Sequence, residues 1–188
     1  MPLWKFSSTK PRSMTNTSMI FFVTGVCGAG KSSVIPHLLS LLDPEKFAIH
    51  DFDKRGVPNN ADRSWRIDET KHWLNVGFEN SLKGIKTIIC GFARPTELML
   101  LQHHEISSCI LLDIDEPTLR GRIQGRYTTE ASVKELFRAT GKSVEAFIED
   151  NANFLKTLRA ECKDHNCLVV DTNLLTSEQV AKQIVGSL

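Results

Sequence analysis

A glycine-rich segment near the start of the chain has the residue types needed to hold a chain of phosphates. It reads Gly25-Val-Cys-Gly-Ala-Gly-Lys31-Ser32-Ser33 and follows the apolar run 19–24 directly. Glycines permit a tight turn whose backbone N–H groups converge on phosphate oxygens, the lysine reaches the outer phosphates, and the serine hydroxyl can bind Mg²⁺. The pattern predicts an ATP site formed by Gly25, Gly28, Ala29, Gly30, Lys31, Ser32 and Ser33, with Ser32 as a magnesium ligand.

Two carboxylates, Asp51 and Asp53, follow the second apolar run with one residue between them. Side chains at this spacing point to opposite faces of an extended strand, but they share a crevice once the chain turns into a loop. Taken alone, the pair also fits an exposed acidic turn. Beside a phosphate-binding loop, we expect Asp51 and Asp53 to supply the metal and acceptor chemistry.

Three arginines occur in a segment whose start, 115–117, has an aspartate suited to capping a helix and a proline suited to its first turn. Arg122 and Arg126 are four residues apart and share a helix face, whereas Arg120 lies elsewhere around the helix and is the weaker candidate. A solvated helix surface is the alternative for all three. Phosphoryl transfer spreads negative charge over the transferred oxygens, and fixed guanidinium groups stabilise it. The predicted catalytic residues are Lys31, Asp53, Arg122 and Arg126.

The elements that must position these residues alternate between apolar runs and stretches of helical periodicity. Such alternation is typical of a parallel sheet with helices on both faces, and it places functional residues at the carboxyl ends of the strands. We expect an α/β fold of the P-loop NTPase type, with three layers, a five-stranded parallel sheet and a short lid. The expected strands are 19–24, 47–50, 85–90, 109–114 and 167–170, and the expected helices include 31–42, 61–83 capped by Asn59-Asn60, 133–139, 143–162 and 177–185.

Two stretches between these elements suit particular tasks. Segment 54–84 lies where an acceptor pocket is expected; Arg55 could anchor the acceptor and Trp65 could stack on it, although tryptophan in such a segment also suits plain core packing. Segment 127–141 is polar and has the size of a lid that would exclude water during transfer. The first 18 residues are rich in Ser and Thr and carry no acidic residue, so we expect a flexible basic tail before one domain, 19–188.

These motifs resemble the small P-loop kinases, the group that contains adenylate, shikimate and gluconate kinases. Arg122-Ile-Gln-Gly-Arg126 looks like the adenylate kinase helix that enters the lid with two transition-state arginines. Cys90-Gly-Phe-Ala-Arg94 is similar to the Asp-Gly-Phe-Pro-Arg segment of the same enzymes, which implies that Arg94 binds the acceptor, with a cysteine in place of the aspartate near the metal. Asp51-Phe-Asp53 resembles the Asp-x-Asp of shikimate kinases, whose first aspartate supports the metal and whose second contacts the acceptor hydroxyl.

The activity that follows is transfer of the γ-phosphate of ATP, with Mg²⁺, to a small molecule. The acceptor group would be a hydroxyl of a nucleoside, sugar or hydroxy acid, or a nucleoside monophosphate. Two alternatives stay open: a polynucleotide 5′-hydroxyl kinase, and a P-loop ATPase that acts as a switch or assembly factor.

Composition limits these alternatives. The 188 residues carry 23 basic and 22 acidic side chains, a net charge of +1, so no overall positive field exists to hold nucleic acid. No apolar run approaches the roughly 18 to 20 residues needed to span a bilayer. The five cysteines are an odd number, which favours reduced thiols and a cytoplasmic location. The acceptor's identity and the oligomeric state are not determined by these features.

Overall fold

A computed structural model describes residues 18–58 and 61–188, and its strands follow the predicted apolar runs. They are β1 (Ile20–Thr24), β2 (Phe47–Asp51), β3 (Lys86–Cys90), β4 (Ser107–Asp113) and β5 (Leu168–Asp171). All neighbouring strands are parallel, and their order in the sheet is β2-β3-β1-β4-β5. The strand ends differ from the predicted ones by one or two residues, because pairing between strands, rather than local sequence, decides where a strand stops.

Helices connect the strands and cover both faces of the sheet. The predicted helix over 61–83 is shorter, and Asp62 caps it by accepting a hydrogen bond from the backbone N–H of Trp65 at 2.9 Å. The predicted cap at Asn59-Asn60 lies outside the described residues. The helix start at Asp115 is confirmed, since its side chain accepts from Thr118 N at 2.8 Å. The helices are α1 (Lys31–Leu41), α2 (Arg63–Ser81), α3 (Pro95–Leu98), α4 (Glu116–Arg126), α5 (Glu130–Thr140), α6 (Val144–Asp164) and α7 (Ser177–Val185).

The central strand β1 is buried on both sides. Phe21 and Val23 face a core shared with α1, α4, α6 and α7, whereas Ile20 and Phe22 face a second core shared with α2. An unbroken apolar run is the pattern of such a strand, because neither face meets water. The glycine-rich segment therefore begins at the end of the most buried strand, which gives it a rigid base.

This architecture confirms the predicted three-layer α/β fold with a five-stranded parallel sheet. The lid prediction, 127–141, contains α5, which is longer than the expected helix over 133–139. Of the predicted tail, residues 1–17 lie outside the described residues. Across residues 18–58 and 61–188, the helices are too short or too polar for any of them to cross a membrane.

Candidate active site

The glycine-rich loop joins β1 to α1 and depends on glycine at several positions. Gly28 and Gly30 have φ angles of 82° and 99°, in the left-handed region that side chains disfavour. A Cβ atom on Gly25 would lie 2.9 Å from the carbonyl oxygen of Leu112, closer than real Cβ contacts. Ala29 is buried, and its N–H donates to Val26 O at 3.2 Å, so this predicted ATP contact also shapes the loop from within.

Lys31 begins α1 and folds its side chain over the loop. Its Nζ donates to the carbonyls of Gly25 and Val26, both at 2.9 Å. Burial lowers the pKa of Lys31, and the nearby carboxylate of Asp53 opposes that shift. Ser32 and Ser33 are exposed in the first turn of α1, where the helix dipole favours anions. The loop thus presents an ammonium group, two hydroxyls and a helix N-terminus to one place.

That place is a cleft of about 580 Å³. It contains all four predicted catalytic residues, which come from the loop, from the end of β2 and from α4. Three positively charged side chains and one carboxylate therefore line the same cleft. The cleft is lined by Cys27, Gly28, Gly30, Lys31, Ser32, Ser33, Asp53, Phe92, Arg122, Arg126 and Asn151.

The two cleft arginines have only uncharged partners among the described residues. Arg122 donates from Nη1 to Gly28 O at 3.2 Å and from Nη2 to Thr172 O at 2.5 Å. Arg126 lies 3.9 Å from Cys27 Sγ, and its guanidinium is 5.7 Å from the Tyr127 ring. Arg122 and Arg126 therefore bring charge into the cleft without an ion pair to any carboxylate of the described residues.

Arg120 differs from its neighbours on α4. It forms an ion pair with Glu145 of α6 and does not line the cleft. Its position agrees with its lower rank among the arginine candidates.

The two aspartates after β2 occupy different positions. Asp51 caps the short 3₁₀ turn Phe52–Arg55, and its Oδ1 accepts from Asp53 N at 2.9 Å. Trp73 also holds this turn in place, because its Nε1 donates a hydrogen bond to Phe52 O at 3.1 Å. Asp53 lines the cleft, whereas Asp51 is not among its lining residues. Desolvation of the carboxylate raises the pKa of Asp53, the charge of Asp51 adds to this, and Lys31 opposes it.

Cys90 ends β3 in register with Asp51 on β2 and Val23 on β1. It is fully buried, and desolvation raises the pKa of its thiol to about 12, with the charge of Asp51 contributing. The thiol is therefore neutral at physiological pH. The position where the adenylate kinase motif has an aspartate carries no charge in this chain.

The other three predicted acceptor contacts do not line the cleft. Arg55 donates from Nη1 to Glu69 Oε2 at 3.0 Å. Arg94 donates from Nε to Glu161 Oε1 at 3.0 Å, and this hydrogen bond raises the pKa of Arg94. Trp65 packs edge-on against Phe52 with ring centres 6.2 Å apart. Their roles toward an acceptor stay predictions, and each side chain already has a protein partner.

Three residues that line the cleft were not among the predicted site residues: Cys27, which lies within the glycine-rich segment, Phe92 and Asn151. Asn151 of α6 accepts from Cys27 N at 3.0 Å through Oδ1 and donates to Phe147 O at 2.8 Å. It lies three residues after Ile148 and four before Leu155, both buried, so a polar residue at an apolar position of the helix was the available signal. Phe92 lies inside the Cys90–Arg94 segment, whose resemblance to the adenylate kinase motif points to the arginine and not to the phenylalanine.

A second cavity of about 220 Å³ adjoins the cleft around the glycine-rich loop. The two cavities share Gly28, Gly30, Ser33 and Arg122. The rest of the second cavity comes from α1, from the segment after β5 and from α7, and it combines apolar side chains with hydroxyls. Its remaining lining residues are Ala29, Val34, Thr172, Leu175, Ser177 and Val180.

Comparison with known proteins agrees with this fold. No protein-family model and no curated protein sequence matches the chain. The structure is similar to a shikimate kinase from Acinetobacter baumannii in complex with shikimate, at 17% identity and a TM-score of 0.60, over 92% of this chain and 93% of that one. It is also similar to a sugar kinase from Janibacter sp. HTCC2649, at 16% identity and a TM-score of 0.54, over 90% and 93% of the two chains. The chain therefore has the fold of the small P-loop kinases, as the sequence motifs indicated.

Proposed function

We propose that this chain is an ATP-dependent kinase that transfers the γ-phosphate to a small-molecule acceptor. The observation that carries the proposal is the position of Asp53 in the same cleft as Lys31, Arg122 and Arg126. Three cations suit a triphosphate, but a carboxylate among them would repel phosphate oxygens. A carboxylate at that point is useful when a second substrate brings a hydroxyl to it, because it can orient the group and accept its proton.

The residues of the cleft and of the adjoining cavity suit the phosphates, the ribose and the base of ATP. The glycine-rich loop and Lys31 suit the phosphates, since backbone N–H groups and an ammonium are the donors that phosphate oxygens accept. The adjoining 220 Å³ cavity, with Val34, Leu175 and Val180 beside Thr172, combines apolar walls with hydroxyls. Such a lining suits a base and ribose, which need a flat apolar contact and a few hydrogen bonds.

The residues also fit Mg²⁺, which would neutralise charge between the phosphates. Ser32 is exposed at the start of α1 and would supply a protein oxygen, with the carboxylate of Asp51 further out. Magnesium in such sites is bound by one or two protein groups together with substrate phosphates, so a dense cluster of ligands is not required. The described residues contain no group of three or more His, Cys, Asp or Glu side chains placed to hold a metal.

Each side chain then has one task during transfer. Asp53 holds the acceptor hydroxyl and takes its proton as the oxygen attacks the γ-phosphorus, and the bond to the β-phosphate oxygen breaks on the opposite side. Lys31, Arg122 and Arg126 stabilise the charge that spreads over the moving oxygens, an effect worth about 3 kcal/mol per group. The proposed lid, 127–141, would close over the cleft and keep water from taking the phosphate.

Transfer of label tests this function directly. The protein is incubated with Mg²⁺ and γ-labelled ATP against separate pools of nucleosides, nucleotides, sugars, hydroxy acids and a 5′-hydroxyl oligonucleotide. We expect label in a small-molecule pool, and its loss in Lys31→Ala and Asp53→Asn. Label in the oligonucleotide would support a polynucleotide kinase instead. Label only in inorganic phosphate, whatever the pool, would support a switch ATPase.

A further inference from the structure

Four arginines lie on the side of the cleft where the chain is expected to receive the acceptor. The link to the cleft is Phe92, whose ring is 5.1 Å from the Arg66 guanidinium on one side and 5.2 Å from the Phe154 ring on another. The Arg94 guanidinium lies 5.7 Å from the same Phe154 ring. We call Arg55, Arg63, Arg66 and Arg94 the acceptor-side arginines.

Each acceptor-side arginine is bound to a buried carboxylate. Arg66 holds Glu97 with two parallel bonds, Nε to Oε2 at 3.0 Å and Nη2 to Oε1 at 2.9 Å, and Arg63 adds Nε to Oε1 at 2.8 Å. Arg94 binds Glu161, whose other oxygen accepts from Thr96 at 2.8 Å. Glu97 and Glu161 come from α3 and α6, and they are only 5% and 7% exposed.

The remaining pair follows the same pattern. Arg55 donates to Glu69 of α2 at 3.0 Å, and Glu69 is 7% exposed. With Asp53 included, four arginines face four carboxylates on this side of the cleft. These eight side chains together therefore carry no net charge.

The acceptor-side arginines are not free to bind an anion, because each of them already pairs with a buried carboxylate. A buried carboxylate that loses its guanidinium partner keeps the full cost of desolvation without compensation, which is strongly unfavourable. An acidic substrate would have to compete against Glu97 and Glu161 for their arginines. Burial alone would raise the pKa of Glu97, yet its hydrogen bonds from Arg66 and Arg63 outweigh that effect and lower it, so the carboxylate stays charged and keeps its partners.

The phosphate side of the cleft shows the opposite arrangement. Arg122 and Arg126 have carbonyl, hydroxyl, thiol and aromatic partners, and no carboxylate among the described residues holds them. Guanidinium groups are thus left available where phosphates are expected and are neutralised where the acceptor is expected.

We infer that the acceptor is an uncharged hydroxyl compound with a ring, such as a nucleoside or a sugar. Glu97 and Glu161 neutralise the arginines to which they are bound, and in this way they exclude acceptors that carry a carboxylate or a phosphate ester. This inference rests on the proposed kinase function. The cleft offers such an acceptor the carboxylate of Asp53 for its hydroxyl, the ring of Phe92 for its apolar face and the amide of Asn151 for a further hydrogen bond.

Matched acceptor pairs test the inference, since the members of a pair differ in charge and little else. The wild-type protein is given Mg²⁺, labelled ATP and, in turn, adenosine or adenosine 3′-monophosphate, the methyl ester of glucuronate or glucuronate, and methyl shikimate or shikimate. We expect kcat/KM to be at least tenfold higher for the uncharged member of the pair that is phosphorylated. Preference for the anionic member would overturn the inference and leave the kinase proposal standing. Label that enters only inorganic phosphate in every pair would overturn both.

A variant tests the role of the carboxylate. Glu97→Gln removes the charge that holds Arg63 and Arg66. The ratio of kcat/KM for the uncharged acceptor to kcat/KM for its anionic partner should therefore fall at least fivefold, and the KM for ATP should not change. Glu105→Gln is the matched control, because Glu105 is exposed and lies before β4 outside this network; its ratio should equal that of wild type. A Glu97→Gln protein that folds and keeps the wild-type ratio would contradict the assigned role. Should that variant fail to fold, the wild-type ratio across the pairs decides.

Discussion

A Cβ atom on Gly91 would lie 2.0 Å from the Cβ of Phe52, so the loops after β2 and β3 touch with no room for a side chain between them. Phe52 stands between Asp51 and Asp53, and Gly91 stands between Cys90 and Phe92. The positions of Asp53 and Phe92 in the cleft therefore depend on the same close contact.

Gly91→Ala should damage both folding and activity, because Phe52 must move to admit the methyl group. Overpacking of this kind typically lowers the free energy of unfolding by about 1–3 kcal/mol. The displaced turn would also shift Asp53, so phosphoryl transfer should fall at least tenfold. Denaturant unfolding and label transfer measure the two effects.

Gly121→Ala is the control for this change. A Cβ atom on Gly121 would meet nothing within 4 Å, and the residue lies inside α4. Alanine there should raise stability by up to about 1 kcal/mol, since glycine is a poor helix former. Equal behaviour of the two variants would show that the contact at Gly91 is unimportant.

Lys31→Ala should lower phosphoryl transfer about a hundredfold, which corresponds to about 3 kcal/mol of transition-state stabilisation. Stability should change far less, because the ammonium bonds only to two carbonyls of its own loop. Initial rates and thermal unfolding, measured on the same preparation, separate the two effects. Wild-type turnover in this variant would remove Lys31 from the mechanism.

Arg122→Ala and Arg126→Ala should each lower kcat strongly while ATP affinity changes much less, because the two guanidinium groups are assigned to the transition state. Arg120→Ala is the matched control on the same helix, since that arginine pairs with Glu145 away from the cleft. Steady-state kinetics and nucleotide binding give the comparison. Equal losses in kcat and affinity would assign the pair to ground-state binding instead.

The pH dependence of transfer should report Asp53. Desolvation and the charge of Asp51 raise the pKa of Asp53 above the ordinary value for an aspartate. Only the ionised carboxylate can take a proton, so the rate should fall as the pH drops through this raised pKa and level off above it. Asp53→Asn should abolish this limb of the profile together with most of the activity. An unchanged acidic limb in a residually active Asp53→Asn protein would assign the titration to another group.

Magnesium dependence should follow Asp51. Asp51→Asn keeps the shape of the side chain but removes its charge, so the Mg²⁺ concentration for half-maximal activity should rise clearly. Cys90 lies beside Asp51 in register across the strands, and Cys90→Asp in the Asp51→Asn background should recover part of the loss. A shift produced by Asp53→Asn and not by Asp51→Asn would mean that the two aspartates have exchanged roles.

The features that the sequence predicted well are local ones. The apolar run of β1, the glycine-rich loop and the capped start of α4 each draw their structure from residues close together in the chain, so their spacing alone indicates their conformation. The shared cleft followed from one topological rule, that functional residues gather at the carboxyl ends of parallel strands, whereas the strand order was not predicted.

The features that the sequence could not predict are pairings between distant residues. Asn151 reaches Cys27 from 124 positions away, and Glu161 reaches Arg94 across 67. From spacing alone, Arg55 and Arg94 were assigned to the acceptor, because their hydrogen-bonded carboxylate partners, Glu69 and Glu161, lie 14 and 67 positions away. Side-chain partners at such separations are chosen by tertiary packing, which leaves no periodic trace in the chain.

The neutralised arginines also bear on how this scaffold could change its substrate. The guanidinium groups that an acidic acceptor would need are already in place, and single buried glutamates hold them. A change of one residue, at Glu97 or Glu161, would therefore expose a ready-made anion site without rebuilding the pocket. On the proposed function, a change of acceptor class would therefore need few substitutions, and Glu97 and Glu161 are the positions at which to begin engineering a kinase of acidic metabolites.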